Sequence, residues 1–90
     1  MLDIVLSNAF KKDLKLTAKR GYNLELLNTV IEKLANQETL EDKYRDHALT
    51  GNYSGFRECH IQPDWLMIWE QDDTQLTLLF LQTGTHSDLF

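Results

Sequence analysis

At Gln37 the hydrophobic period of this chain changes, and that change limits the folds open to it. Before it, Leu24, Leu27, Ile31 and Leu34 recur at i, i+3, i+7 and i+10, which is one face of a helix. After it, Trp65-Leu66-Met67-Ile68-Trp69 is rich in aromatic and branched side chains, which suit a pleated strand. A chain that is helical first and extended afterwards predicts an α+β fold with segregated layers.

The remaining elements follow from local signals. Leu2–Leu6 alternates weakly and predicts a short strand. Ser7 offers an N-cap, and Phe10, Leu14 and Ala18 share a helix face. Lys19, Arg20 and Gly21 end that helix, because bases complement its C-terminal dipole and glycine accepts a positive φ. Asn23 caps the second helix, and so short a joint predicts an antiparallel hairpin. Glu38–Arg45 reads as a charged connector, and Gly51 and Gly55 bracket a polar loop. Phe56–Ile61 is extended, Pro63-Asp64 turns the chain, and Asp72-Asp73-Thr74 turns it again. Gln75–Gln82 reads as a last strand, apolar on both faces, and Thr83–Phe90 as a polar tail. The expected fold is a single domain over residues 1–90 in the order β-α-α-β-β-β. An N-terminal strand and an antiparallel helical hairpin pack on one face of a mainly antiparallel sheet. The uncovered sheet face is where a site is expected.

Composition removes several classes. The single cysteine cannot form an internal disulfide. No apolar run approaches the length of a bilayer span, so no membrane partner is expected. Met1-Leu2-Asp3-Ile4 opens with neither a basic region nor a long apolar stretch, so the expected location is the cytoplasm. The net charge is −5, with 14 acids against 9 Lys and Arg. It is uneven: residues 1–36 carry six bases and four acids, residues 37–90 three bases and ten acids. Phosphate contacts dominate nucleic-acid affinity, so the acidic half argues against a general nucleic-acid binder. The Lys11, Lys15 and Lys19 stripe reads either as a solvated helix face or as a contact for RNA or an acidic partner.

The residues able to do chemistry are His47, His60, Asp64 and His86. Their gaps do not match zinc-ligand spacings, and no metal or cofactor is expected. Cys59 alternates with His60 on a strand and reads as a small core residue. A lone histidine would read as a satisfied structural group. Three in the second half, each beside a turn or the chain end, point to a shared site. Imidazole is the side chain best suited to proton transfer near neutral pH. Cleavage of a phosphodiester by its own 2′-hydroxyl needs one base and one acid. Trp65, at the mouth of its strand, is a candidate for stacking on a base. Phe90 either tucks into the core or stays out to stack.

Three blocks carry a family resemblance. Tyr44-Arg45-Asp46-His47-Ala48-Leu49-Thr50-Gly51 resembles the "DHxLxG" element of the YafQ branch of the RelE/ParE toxin superfamily. Gly55 to Trp69 resembles its next block, and Thr83-Gly84-Thr85-His86-Ser87-Asp88-Leu89-Phe90 its closing "TGTHxxLF". The resemblance implies the toxin of a bacterial type II toxin–antitoxin pair. Such toxins enter the ribosomal A site and cleave mRNA there without a metal. A cognate antitoxin neutralises them, and the complex binds operator DNA. His86 matches the position most tied to catalysis, and His47, His60 and Asp64 match supporting acid–base positions. Phe90 matches a terminal aromatic that helps hold RNA. Trp65 lies in the same block, and Arg45 and Arg57 would add phosphate contacts. The charge departs from this basic group. It motivates a second reading, a non-catalytic binder such as a ParE-like topoisomerase inhibitor or an inactive antitoxin-binding co-repressor.

Overall fold

A computed structural model describes residues 1–90. Strand β1 (Asp3–Leu6) leads into helix α1 (Asn8–Lys19) and helix α2 (Leu24–Ala35). Then follow β2 (His47–Ala48), β3 (Arg57–Gln62), β4 (Trp65–Asp72), β5 (Thr77–Gly84) and a terminal turn of helix, α3 (His86–Leu89). The sheet order is β1-β5-β4-β3-β2, with β1 parallel to β5 and every other pair antiparallel. The α+β expectation therefore holds, with one strand more than expected. The pair His47–Ala48, between the expected connector and the polar loop, adds a short fifth strand against β3.

The caps expected from sequence are in place. Ser7 Oγ accepts from the Phe10 N–H at 3.0 Å, and Asn23 Oδ1 from the Glu25 N–H at 3.0 Å; each pairs a backbone donor that a helix start leaves open. Gly21 takes φ 85° between the helices, a conformation that costs glycine little. The predicted face of α2 is buried at Leu27, Ile31 and Leu34, joined by Val30 and Ala35. The predicted face of α1 needs a correction: Ala18 is exposed and Thr17 is buried in its place. Thr17 tolerates burial because its hydroxyl donates to the Asp13 carbonyl at 2.7 Å.

Both helices cover one sheet face. Phe10, Leu27, Val30 and Leu34 meet Cys59, Trp65, Met67, Trp69, Leu78 and Phe80 in one core. Phe10 and Phe80 approach at 5.6 Å between ring centroids, an oblique contact of the kind aromatic pairs favour. Cys59 is buried as expected, and burial pushes its thiol pKa far up, which keeps it an inert neutral group. The opposite face is not bare. Leu66 and Ile68 point there by alternation, yet both are buried. The Leu49–Phe56 segment lies over this face, and Tyr53 and Phe56 line a cavity of about 360 Å³ with Ile68 and Leu81.

The tail also differs from expectation. β5 continues through Gly84, and Thr85 caps α3 with a reciprocal pair of hydrogen bonds to Asp88. Gly84 serves this return: a Cβ on it would lie 2.9 Å from Asp88 Oδ2.

Candidate active site

Alternation along β3 decides which side chains face the site. Cys59 and Ile61 join the helix-side core, so Glu58 and His60 point to the other face. The sheet register extends the row: His47 pairs with Glu58, His60 with Leu66, and Leu66 with Gly84. Two residues beyond Gly84 the chain places His86. The two-residue turn Pro63-Asp64 brings Asp64 beside it. His60 and His86 stand 5.7 Å apart between ring centroids.

All three imidazoles are anchored in the same way. His47 Nδ1 lies 2.6 Å from the Arg45 carbonyl oxygen. His60 Nδ1 lies 3.2 Å from the Pro63 carbonyl oxygen. His86 Nδ1 lies 3.2 Å from Asp64 Oδ1. A carbonyl or carboxylate oxygen only accepts, so each Nδ1 carries the proton and donates. Each Nε2 is thereby left to take or give a proton. The tautomer is set by the fold, ring by ring.

Two carboxylates balance the rings. Asp64 accepts from the His86 ring and from the His86 backbone N–H at 3.3 Å. The ring contact, then the backbone one, hold its pKa below the usual carboxylate range, so it is ionised near neutrality. Glu58 was not among the residues expected from sequence. It is only 5% exposed, and its Oε1 lies 3.4 Å from His47 Nε2 and 3.9 Å from His60 Nε2. A buried carboxylate needs such partners. The signal was available: Glu58 lies two residues before His60, hence on the same strand face.

The chain matches over residues 2–90 the family described as the bacterial toxin of type II toxin–antitoxin system, YafQ. The chain belongs to that family. Among YafQ relatives, the mRNA interferase toxin YafQ of Escherichia coli is 38% identical over 89 residues, covering 98% of this chain and 95% of the relative. The crystal structure of the E. coli DinJ-YafQ complex superposes with a TM-score of 0.90 at 37% identity, over 100% of this chain and 99% of that one. The crystal structure of a metal-bound toxin from Helicobacter pylori superposes with a TM-score of 0.94 at 43% identity, over the whole of both chains. In the present chain no three His, Cys, Asp or Glu side chains converge as an ion would require.

Within this YafQ fold, His47, His60, Asp64 and His86 are brought together, as the sequence blocks suggest. Phe90 is 57% exposed and meets the edge of Tyr53 at 5.4 Å between centroids. Arg45 is exposed, with φ 49°, and lines a groove of about 710 Å³ with Tyr44, His60, Gln62 and Pro63. Trp65 is corrected. It is 1% exposed, and its indole N–H donates to Thr83 Oγ1 at 3.0 Å inside the core. The turn before it is so tight that Trp65 is already paired with Gln62, so no face of the ring is open to a base. Tyr53, 38% exposed, is the second aromatic beside Phe90. Arg57 turns away from His60 and pairs with Asp46 at 2.9 Å; the bulge in β3 comes later, between His60 and Gln62.

Part of the acidic charge lies away from this site, although Asp42 lines the groove beside Arg45. Asp72 and Asp73 lie at the far end of β4 from Asp64, about 25 Å away at ordinary strand rise. Asp72 is engaged there in the turn, accepting from the Thr74 and Gln75 N–H groups. Glu41 is held by Lys33 at 3.1 Å.

Proposed function

We propose that this chain is the toxin of a type II pair and an mRNA endoribonuclease that acts on ribosome-bound message in the A site. The observation that carries the reading is the common anchoring of three imidazoles at Nδ1. It sets the three tautomers and leaves each Nε2 without a backbone partner, as acid–base catalysis by histidine requires. The antitoxin partner is supported by the DinJ-YafQ complex of the E. coli relative. Repression of operator DNA would run through such a complex. The site of action is the cytoplasm, where messages are translated.

The chemistry needs no group beyond the RNA and the protein. One neutral imidazole takes the proton of a 2′-hydroxyl. The resulting oxygen attacks the adjacent phosphorus, a P–O bond forms, and the bond to the 5′-oxygen breaks. A protonated imidazole gives its proton to that leaving oxygen. The products are a 2′,3′-cyclic phosphate and a 5′-hydroxyl, and one proton has moved across the site. His60 and His86 supply the closest pair. Asp64 orients His86, and Glu58 stands between His47 and His60. Phe90 and Tyr53 give bases a stacking edge. Arg45 faces the groove, and Lys11, Lys15 and Lys19, all exposed, offer phosphate contacts away from the acidic hairpin.

The test is induction of the chain in a bacterial host beside His86→Ala. RNA 5′ ends are mapped on a translated reporter and on the same message without its start codon. The expected result is new ends only on the translated message, absent with the variant. Growth arrest without new ends would overturn the nuclease reading in favour of a binding toxin.

A further inference from the structure

Helix α3 carries His86 and leads to Phe90, yet none of its residues is buried. Its apolar contacts are limited to the half-buried Leu89 and the edge contact of Phe90 with Tyr53. Its capping box only closes Thr85 on Asp88. What ties it to the body of the protein on the side away from Asp64 is Arg20, at the end of α1. The guanidinium donates to both carboxylate oxygens of Asp88, at 2.6 and 3.2 Å. Two parallel bonds of this kind define an angle as well as a distance.

The same helix supplies a second tie. Asp13 accepts from the Thr83 backbone N–H at 3.1 Å. Asp13 and Arg20 are seven residues apart, about two helical turns or 10.5 Å, hence on one face of α1. Thr17 lies between them and is buried. Helix α1 thus holds the chain once before Gly84 and once after it. Between the two ties the backbone makes the close return that Gly84 permits.

We propose that Arg20 is a positioning residue for His86: its two-pronged grip on Asp88 sets the terminal turn at the angle that lays the imidazole against Asp64 and beside His60. Its kinetic consequence rests on the nuclease reading. Arg20 makes no contact with the reacting atoms, and an exposed ion pair of this kind adds little to overall stability. Its effect is on orientation.

The experiment compares wild type, Arg20→Gln, Arg20→Lys and Asp88→Asn. Single-turnover cleavage of ribosome-bound message is followed over a range of toxin concentrations. The titration of the Asp64 carboxyl is followed by carbon NMR on the same proteins. Arg20→Gln should lower the maximal rate about tenfold, as small misplacements of a catalytic group do. The half-saturating concentration should move less than about twofold, since ground-state binding is untouched. The Asp64 midpoint, held low by His86, should rise toward the ordinary carboxylate value. Arg20→Lys keeps the charge and should recover about a third of the rate or more, with the Asp64 midpoint partly restored. Asp88→Asn keeps an acceptor for Thr85 and should reproduce Arg20→Gln. A raised half-saturating concentration at unchanged maximal rate would make Arg20 an RNA-phosphate contact and overturn the proposal. An Asp64 midpoint unmoved in Arg20→Gln would overturn it whatever the rate. If wild type cleaves no message, the nuclease reading fails by itself, and the Asp64 midpoint alone decides whether Arg20 positions His86.

Discussion

The two faces of the sheet are held by different forces. On the helix side, Trp65, Met67, Trp69, Leu78 and Phe80 are buried to within 1% exposure against Phe10, Leu27 and Val30. Order there comes from apolar area and close packing, which many contacts share. On the other side, His47, His60 and His86 are each held at Nδ1 by one hydrogen bond to a carbonyl or carboxylate oxygen. Removing one side chain from the first face weakens the whole molecule. On the proposed mechanism, removing one of these imidazoles from the second changes a proton path and little else. Stability and chemistry are therefore separable in this protein, layer by layer.

The largest effects should break that separation cleanly. His86→Ala should lower single-turnover cleavage about a hundred- to ten-thousandfold, the range for a lost acid–base group. Its unfolding free energy should stay within about 0.5 kcal/mol of wild type, as for an exposed side chain. Trp65→Ala should do the reverse, losing about 3–5 kcal/mol of stability through the cavity it leaves. Urea unfolding and cleavage on the same preparations check both. A Trp65→Ala protein that stays folded but loses cleavage as His86→Ala does would place the indole in the chemistry after all.

Glu58 sharpens the comparison, because it is buried yet belongs to the polar face. Glu58→Gln keeps the shape and removes the carboxylate that faces His47 and His60. A loss of about ten- to a hundredfold in rate is expected, one hydrogen bond to a charged group being about 1.5–3 kcal/mol. The pH–rate profile of wild type should be bell-shaped near neutrality, since one ring must be neutral and another charged. A flat profile between pH 5 and pH 9 would count against proton transfer by histidine.

Thr83 lies at the boundary between the two layers. Its hydroxyl accepts from the Trp65 indole at 3.0 Å and donates to the Leu66 carbonyl at 2.7 Å. Thr83→Val keeps the volume and strands both partners in the core, which should cost about 1–3 kcal/mol. Cleavage per folded molecule should fall less than threefold if the layers are separate, a margin of about 0.6 kcal/mol on the scale of tenfold per 1.36 kcal/mol.

The sequence disclosed the first face far better than the second. Period and caps place α2 and β4 because Leu27, Ile31 and Leu34, or Met67 and Trp69, repeat the same apolar signal many times. Thr17 escaped because its burial depends on a hydroxyl bond to Asp13, which hydropathy does not register. The three histidines were legible through their blocks, and Glu58 could have been found by counting two residues back from His60. The tail was the least legible part. Thr85 and Asp88 form their cap over three residues, but Arg20 reaches Asp88 across 68 positions, and no local pattern announces such a pair. Trp65 misled for the opposite reason: its place beside a turn suggested a strand mouth, while the tight turn draws it fully into the sheet.

The smallest expected effect concerns Asp13, where the two kinds of order meet. Burial raises its carboxyl pKa above the ordinary value, the Thr83 N–H only partly offsets this, and the charge of Asp88 adds to the rise. An acid raised in the folded state prefers its proton there more than in the unfolded chain. Stability is therefore lost as pH climbs from the ordinary carboxylate value through the raised one, and the loss is complete above it. Asn at this position keeps an oxygen to accept from Thr83 and never ionises. Asp13→Asn should match wild type in acid, where both side chains are neutral, and be slightly more stable at pH 7. Asp13→Ala should be less stable at both, since the Thr83 N–H then loses its partner. Urea midpoints of the three proteins at pH 3 and pH 7 decide it. A gain for Asp13→Asn in acid equal to that at pH 7 would mean that packing, and not the buried charge, sets the difference.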